Sequence, residues 1–407
     1  MNESAGAEAK AAPGPSPRKV RRLALAVGLI LLLGLAAVVA LRPRADPVGL
    51  LSRASQEYTR GRLDQADALL NDRARLVTPV NLDWILRARI AEGRDRPEEA
   101  LGFLKKIPDS DPFAPQRWLL EGQVELDRSR AQAAEAAFRR AEALDPSLPV
   151  AHRNLAYLYA MQHRQNEADA EFRALAAGSA VDYKLAFLWC QNACDIWDPR
   201  ETGARLSKFL AADPADRPTR LALALSHDRQ GKPDEAEATL ALLPADDIDA
   251  RVLRAEIAFE RGDIASAERL AAGNPPDHAP TNVLRGRLAL GRREADVATR
   301  AFRVALKAEP DNRDALNGFG QALRLAGDPD RAAVFLQQAR RRDALKRLIL
   351  DSRERLKTDQ RLFFKLAVAC ERIPLPRQAA LWYRLAIDLD PLDLEAQKAF
   401  ARLANPS

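Results

Sequence analysis

This sequence is poor in the groups that carry most enzyme chemistry: its 407 residues include three cysteines, four histidines and only 6% aromatics. It has no G-x-x-x-x-G-K-[ST] loop to cradle phosphates, no G-x-S-x-G elbow to present a serine, no H-E-x-x-H pair to grip zinc and no C-x-x-C-H to attach haem. Each absence removes an enzyme class that depends on the motif. Gly318-Phe319-Gly320 opens like a dinucleotide-binding pattern, yet Leu323 stands where the third glycine belongs and no strand precedes it. Cys190 and Cys194 lie four apart on one expected helix, too poorly placed for a mutual disulfide within it. Cys370 and His152, His163, His227 and His278 are scattered, so no second ligand pair at metal spacing exists, and the histidines read as surface or helix-end residues. Acidic residues mostly sit near basic ones, as Lys232 does with Asp234 and Glu235, which is the pattern of a solvated helix face. These readings give no catalytic residue, no metal, no cofactor and no small-molecule substrate.

Charge of one sign is also missing from most of the chain. Of the net +6, the segment before Pro47 supplies seven basic residues (Lys10, Arg18, Lys19, Arg21, Arg22, Arg42, Arg44) against three acidic ones. The remaining 361 residues carry 56 basic and 54 acidic groups with both signs interleaved. A phosphate backbone needs cations concentrated on one surface, so no nucleic-acid partner is expected.

The one long apolar run is LALAVGLILLLGLAAVVAL, Leu23 to Leu41, which as a helix reaches about 28 Å and can span a bilayer. Arg18, Lys19, Arg21 and Arg22 precede it and Arg42 and Arg44 follow, which keeps the N-terminus in the cytoplasm. We therefore expect a disordered basic cytoplasmic tail over 1–22, a signal anchor over 23–41 in a bacterial cytoplasmic membrane, and an extracytoplasmic remainder. The alternative is a cleaved signal peptide, with Val38-Val39-Ala40 before the cut and periplasmic release.

What the sequence does have is repetition. Ala136 to Pro146 reads AAFRRAEALDP, Ala301 to Pro310 reads AFRVALKAEP and Leu381 to Pro391 reads LWYRLAIDLDP. Working back from Ala134, Phe138, Ala141 and Pro146, the preceding helix carries Trp118 and Gly122, a W-x3-G start, over a period of 34 residues. Starts at Pro47, Asn81, Pro115, Pro149, Tyr183 and Arg217 keep that phase; Ile248 and Ala279 follow units shortened to 31 residues, and Arg313 and Gln360 complete ten. This signature resembles the tetratricopeptide repeat, a helix-turn-helix unit, over residues 47–393. The resemblance implies an all-α fold: a right-handed superhelix, or α-solenoid, of about ten units, after one transmembrane helix.

The spacing has a physical reason. The eighth position of every unit is small, from Ala54 and Ala88 through Gly122, Ala156, Cys190 and Ala224 to Ala255, Gly286, Gly320 and Ala367, because the two helices must approach closely there. Gly61, Gly231, Gly262 and Gly327 release the turn, and Pro112, Pro146, Pro214, Pro310 and Pro391 close second helices. Units over 47–346 are followed by an extra helical insert, 347–359, read as a prolonged or separate helix that interrupts the stacking, then a tenth unit over 360–393 and a capping helix over 394–407. Asp393 should cap that helix, with Leu394, Phe400 and Leu403 covering the last pair. Tyr183 to Asp216 matches worst, with WCQNACDIWDPRETG replacing a normal turn, and a distorted unit is expected there.

In the family that this sequence resembles, first helices line a concave surface that binds extended peptides or partner helices through the fifth, ninth and twelfth positions. The resemblance points to Arg89, Gln123, Arg153, Tyr157, Phe187, Gln191, Arg287, Asn317 and Gln321, interleaved with Leu51, Leu119, Leu221, Val252 and Val283. Cys194, one turn beyond the small slot filled by Cys190, is expected to face this groove as a reactive thiol. The Lys, Asn, Asn, Lys, Arg clamp with which some members grip a C-terminal carboxylate is absent. The expected function is a non-enzymatic, membrane-anchored scaffold of the cell envelope; the alternatives are a periplasmic holdase or an accessory subunit of a polymer synthesis or export complex.

Overall fold

The computed structural model describes residues 46–178, 182–355, 359 and 361–404. The expected tail over 1–22 and membrane span over 23–41 lie outside these residues, as do 356–358, 360 and 405–407. Among the described residues there are 21 α-helices and no strand, and no helix is long and apolar enough to cross a membrane. The chain divides into two compact bodies, Met1–Ile90 and Ala91–Ser407.

The helices come in ten pairs, whose first helices begin at Pro47, Asn81, Ala114, Pro149, Tyr183, Arg217, Ile248, Ala279, Arg313 and Leu362. Short polar side chains start many of them: Asp46, Asp182, Asp216, Asp247 and Asn312 each accept a hydrogen bond from a backbone N–H in the first turn. A cap of this kind contributes about 1 kcal/mol, and a proline in the first turn, as at Pro47 and Pro149, sacrifices no helical hydrogen bond.

The turn between the two helices of a pair is one motif used nine times. Its residue lies in the left-handed region: Gly61, Gly231, Gly262 and Gly327, but also Asp95, Ser129, His163, Asp195 and Arg293, with φ between 49° and 82°. The next residue then donates to the carbonyl five back, as Arg62 N to Glu57 O at 2.9 Å and Arg130 N to Glu125 O at 2.8 Å, which ties off the C-terminus of the first helix. The expected distortion at Tyr183–Asp216 is a shift of the turn. Asp195 takes the left-handed position two residues early, Ile196 N bonds to Gln191 O at 2.9 Å, and the turn is otherwise ordinary.

Small residues set how close the helices come. A Cβ on Gly122 would stand 2.5 Å from the Phe138 ring, and one on Gly286 would stand 2.6 Å from the Phe302 ring. Gly318, in the following pair, is pressed by the same Phe302 ring, which accounts for the Gly-Phe-Gly stretch as packing. In the first body, Ala54 and Ala66 are fully buried beside Leu70, and Arg73 donates to Asp83 at 2.7 Å and to the Pro47 carbonyl at 2.8 Å.

Within Ala91–Ser407 the stacking is not purely sequential. The expected insert continues the second helix of the ninth pair into one 27-residue helix, Pro329–Arg355, that buries Leu345 and Ile349. It does not simply interrupt the array. It packs against both Leu362–Glu371 and Tyr183–Ala193, and the last pair meets the fifth directly. Cys190 Sγ lies 3.6 Å from Cys370 Sγ, and Trp382 Nε1 donates to Cys190 Sγ at 3.1 Å. A single apolar core therefore joins Phe172, Trp189 and Cys190 to Leu366, Cys370 and Trp382. The final helix, Leu394–Ala404, is capped by Asp393, whose Oδ1 accepts from Glu395 and Ala396 at 3.1 and 3.0 Å. Ala396, with Phe400 and Leu403, covers the last pair; Leu394 is 63% exposed, because the cap turns it outward.

Trp382 is 1% exposed, so Trp382→Ala should cost about 3–5 kcal/mol in chemical denaturation. A loss within a few tenths of a kcal/mol would mean that the fifth and tenth pairs are not joined.

Candidate interaction groove

First helices of the sixth, seventh and eighth pairs, with the turn of the fourth, enclose a recess of about 620 Å³. Its apolar lining comes from Leu221, Leu225, Val252 and Leu253, residues one helical turn apart or adjacent on Arg217–Arg229 and Ile248–Glu260. Arg217 closes one edge, held by Asp247 at 2.6 and 2.9 Å and by Asp249 at 2.6 Å. Arg164 lines another, donating to Glu135 at 2.6 Å.

Glu256 reaches the same recess and has no hydrogen-bond partner among the described residues. Burial, with a lesser push from Glu260, Asp228 and Asp314, drives its carboxyl up to about 7, while Arg287 pulls the other way. Arg287 itself lies 4.5 Å over the Phe259 ring and 3.6 Å from Glu260. The recess thus offers apolar walls and one carboxyl that is easily protonated and makes no hydrogen bond among the described residues.

Of the residues to which the resemblance pointed, Leu221 and Val252 share this recess, whereas the polar and aromatic ones do not converge on one place. Phe187 and Gln191 line a separate recess of about 770 Å³ together with Trp197, Ile349 and Leu350. Gln191 is buried and spends its amide on the Ile196 carbonyl at 3.2 Å, so it supports the turn. The Tyr157 hydroxyl is hydrogen-bonded by Arg205, whose guanidinium lies 5.5 Å from the ring centre. Arg287 acts on Glu256. Arg153 and Gln321 are exposed, and Gln123 and Asn317 are half-buried, outside both recesses. Arg89 is exposed in the first body. Glu256 was missed although it occupies the ninth position of its unit, as Gln123, Tyr157, Gln191 and Arg287 do in theirs. Its place between Val252 and Glu260 on one helix face was the available signal.

Two expectations about chemistry change. His152 is buried, 5% exposed, and not at the surface. Cys194 lines a polar cavity with Arg342 and Lys346, and burial pushes its thiol up to about 12, against the pull of those two cations.

Residues 283–346 match the family described as tetratricopeptide repeat. No curated protein matches the sequence. Among solved structures the chain is similar to the APC/C hetero-tetramer Cut9–Hcn1 (14% identity, 89% of this chain and 90% of that one, TM-score 0.36). It is also similar to a tetratricopeptide repeat protein from Parabacteroides merdae (17%, 60% and 98%, 0.33) and to human IFIT1 with PPP-AAAA (16%, 86% and 84%, 0.36). Likeness at this level carries no inference about what this chain binds. The family match, together with the helix pairs, supports a tetratricopeptide repeat protein, an architecture suited to protein–protein interaction.

The raised Glu256 carboxyl has a consequence for stability. The folded state keeps a proton that the unfolded chain releases above its ordinary value of 4.5, so the contribution of Glu256 is lost as pH rises through about 7. Glu256→Gln cannot ionise and should gain stability relative to the parent between about pH 5 and pH 8. Parallel thermal-unfolding profiles for the two proteins over that range would contradict the assignment.

Proposed function

We propose that this chain is a non-enzymatic, membrane-anchored scaffold of the cell envelope that holds a partner protein by an extended segment lying in the Leu221–Glu256 recess. The observation that carries this reading is the recess itself: open apolar walls at helix-turn spacing around Glu256. An apolar side chain flanked by a hydrogen-bond donor or a cation complements those walls and that carboxyl. The anchor rests on the Leu23–Leu41 run and its flanking cations, and only five residues separate Leu41 from Pro47, which holds the first helix pair near the bilayer.

The binding reading is tested by photo-crosslinking in living cells with the probe at Leu221, in parent and Val252→Asp backgrounds. One dominant adduct, lost with Val252→Asp, is expected. A broad set of unrelated exported proteins would replace the scaffold with a holdase. Topology is a separate matter: a reporter fused after Ser407 should be active outside the cytoplasm, and activity confined to the cytoplasm would overturn the anchored orientation.

A further inference from the structure

Away from the groove, one cluster of side chains assembles metal-ligating donors that the interaction reading does not use. Glu142 comes from the last turn of Ala131–Leu144, His152 from the first turns of Pro149–Met161, and Glu171 from the middle of Gln165–Ala177. One ligand atom from each lies within 4.8 Å of the other two. His152 Nδ1 is 2.7 Å from Glu171 Oε2 and 3.7 Å from Glu142 Oε1. Three donors placed about 2.0–2.1 Å from a tetrahedral ion stand about 3.3 Å apart, a spacing that the two distances bracket.

The second ring nitrogen is already committed. His152 Nε2 lies 2.9 Å from the Pro146 carbonyl oxygen, which can only accept, so Nε2 carries a proton. Without an ion, Nδ1 at 2.7 Å from Glu171 Oε2 donates its own proton to that carboxylate, so an incoming cation must displace this one proton; it then meets the Nδ1 lone pair of a ring whose orientation the Nε2–H bond already fixes. Burial separates this trio from a chance surface group: His152 and Glu171 are 5% and 8% exposed, and only Glu142, with 33% of its side chain exposed, meets solvent.

We propose that Glu142, His152 and Glu171 bind one divalent transition-metal ion of the zinc type, through Nδ1 and one oxygen of each carboxylate. Water on the Glu142 side completes the shell. Charge favours this occupancy: two carboxylates balance a dication, whereas the competing occupant, a proton on Nδ1, leaves one negative charge over. The ligands belong to two successive helix pairs, so the ion ties the third pair to the fourth.

The test uses the full-length chain, stripped with a chelator and titrated with Zn²⁺ at about pH 8. Calorimetry should find a site, and thermal unfolding should shift upward with bound Zn²⁺. Glu142→Gln, at the half-exposed ligand where folding is least at risk, should weaken that site at least about tenfold, and His152→Gln should abolish it. Calcium, which needs six or more oxygen ligands, should produce no comparable shift. X-ray absorption of the zinc-loaded protein should show nitrogen and oxygen neighbours without sulfur. The proposal is overturned by no binding at about millimolar Zn²⁺, by a site indifferent to Glu142→Gln, or by sulfur ligands, which would assign the ion to the cysteines.

Discussion

A helix pair of this size has too little apolar surface to bury by itself, and the constraint on which the structure depends is how closely its two helices can approach. Gly122 against Phe138 and Gly286 against Phe302 show the solution: one helix gives up its side chain so that the other can insert a ring. The ring does more than fill its own pair. Phe302 also presses on Gly318 of the next pair, so the contact that closes one unit positions the following one. In these two pairs a glycine at the eighth position and a phenylalanine on the second helix are two halves of one interaction; at Gly320 the same slot is filled by Leu336.

That coupling is why the all-α class and the construction from helix pairs were legible in the sequence. Small slots, aromatics and closing prolines are side-chain facts, visible in any one unit and confirmed by recurrence. The turn was only partly legible. A glycine advertises a left-handed residue, but Asp95, Ser129, His163 and Arg293 adopt the same conformation because the hydrogen bond across the turn and the packing of both helices leave the backbone no other course. A non-glycine residue there gives no local sign of it.

The candidate site was less legible still. Position numbers identify which side chains leave one face of a helix, yet they do not say which neighbours will have claimed those side chains. Gln191 is taken by a carbonyl of its own turn and Tyr157 by Arg205, whereas Glu256, at the equivalent position, lines the recess without a hydrogen bond among the described residues. The contact between Cys190 and Cys370 has no signature in the sequence at all. It joins residues 180 apart, and it arises because the prolonged helix Pro329–Arg355 packs against both the fifth and the last pair.

Repeat proteins generally form from contacts that are near in sequence, so each unit can settle as soon as its neighbour exists. Here the inward face of Tyr183–Ala193 meets its cover only when residues 345–396 have been made. At ordinary synthesis rates of about 5–20 residues per second, that face waits about 10–40 seconds. During that interval the nascent chain holds an apolar surface with no occupant, and the last units to emerge from the ribosome determine whether the middle of the protein is finished.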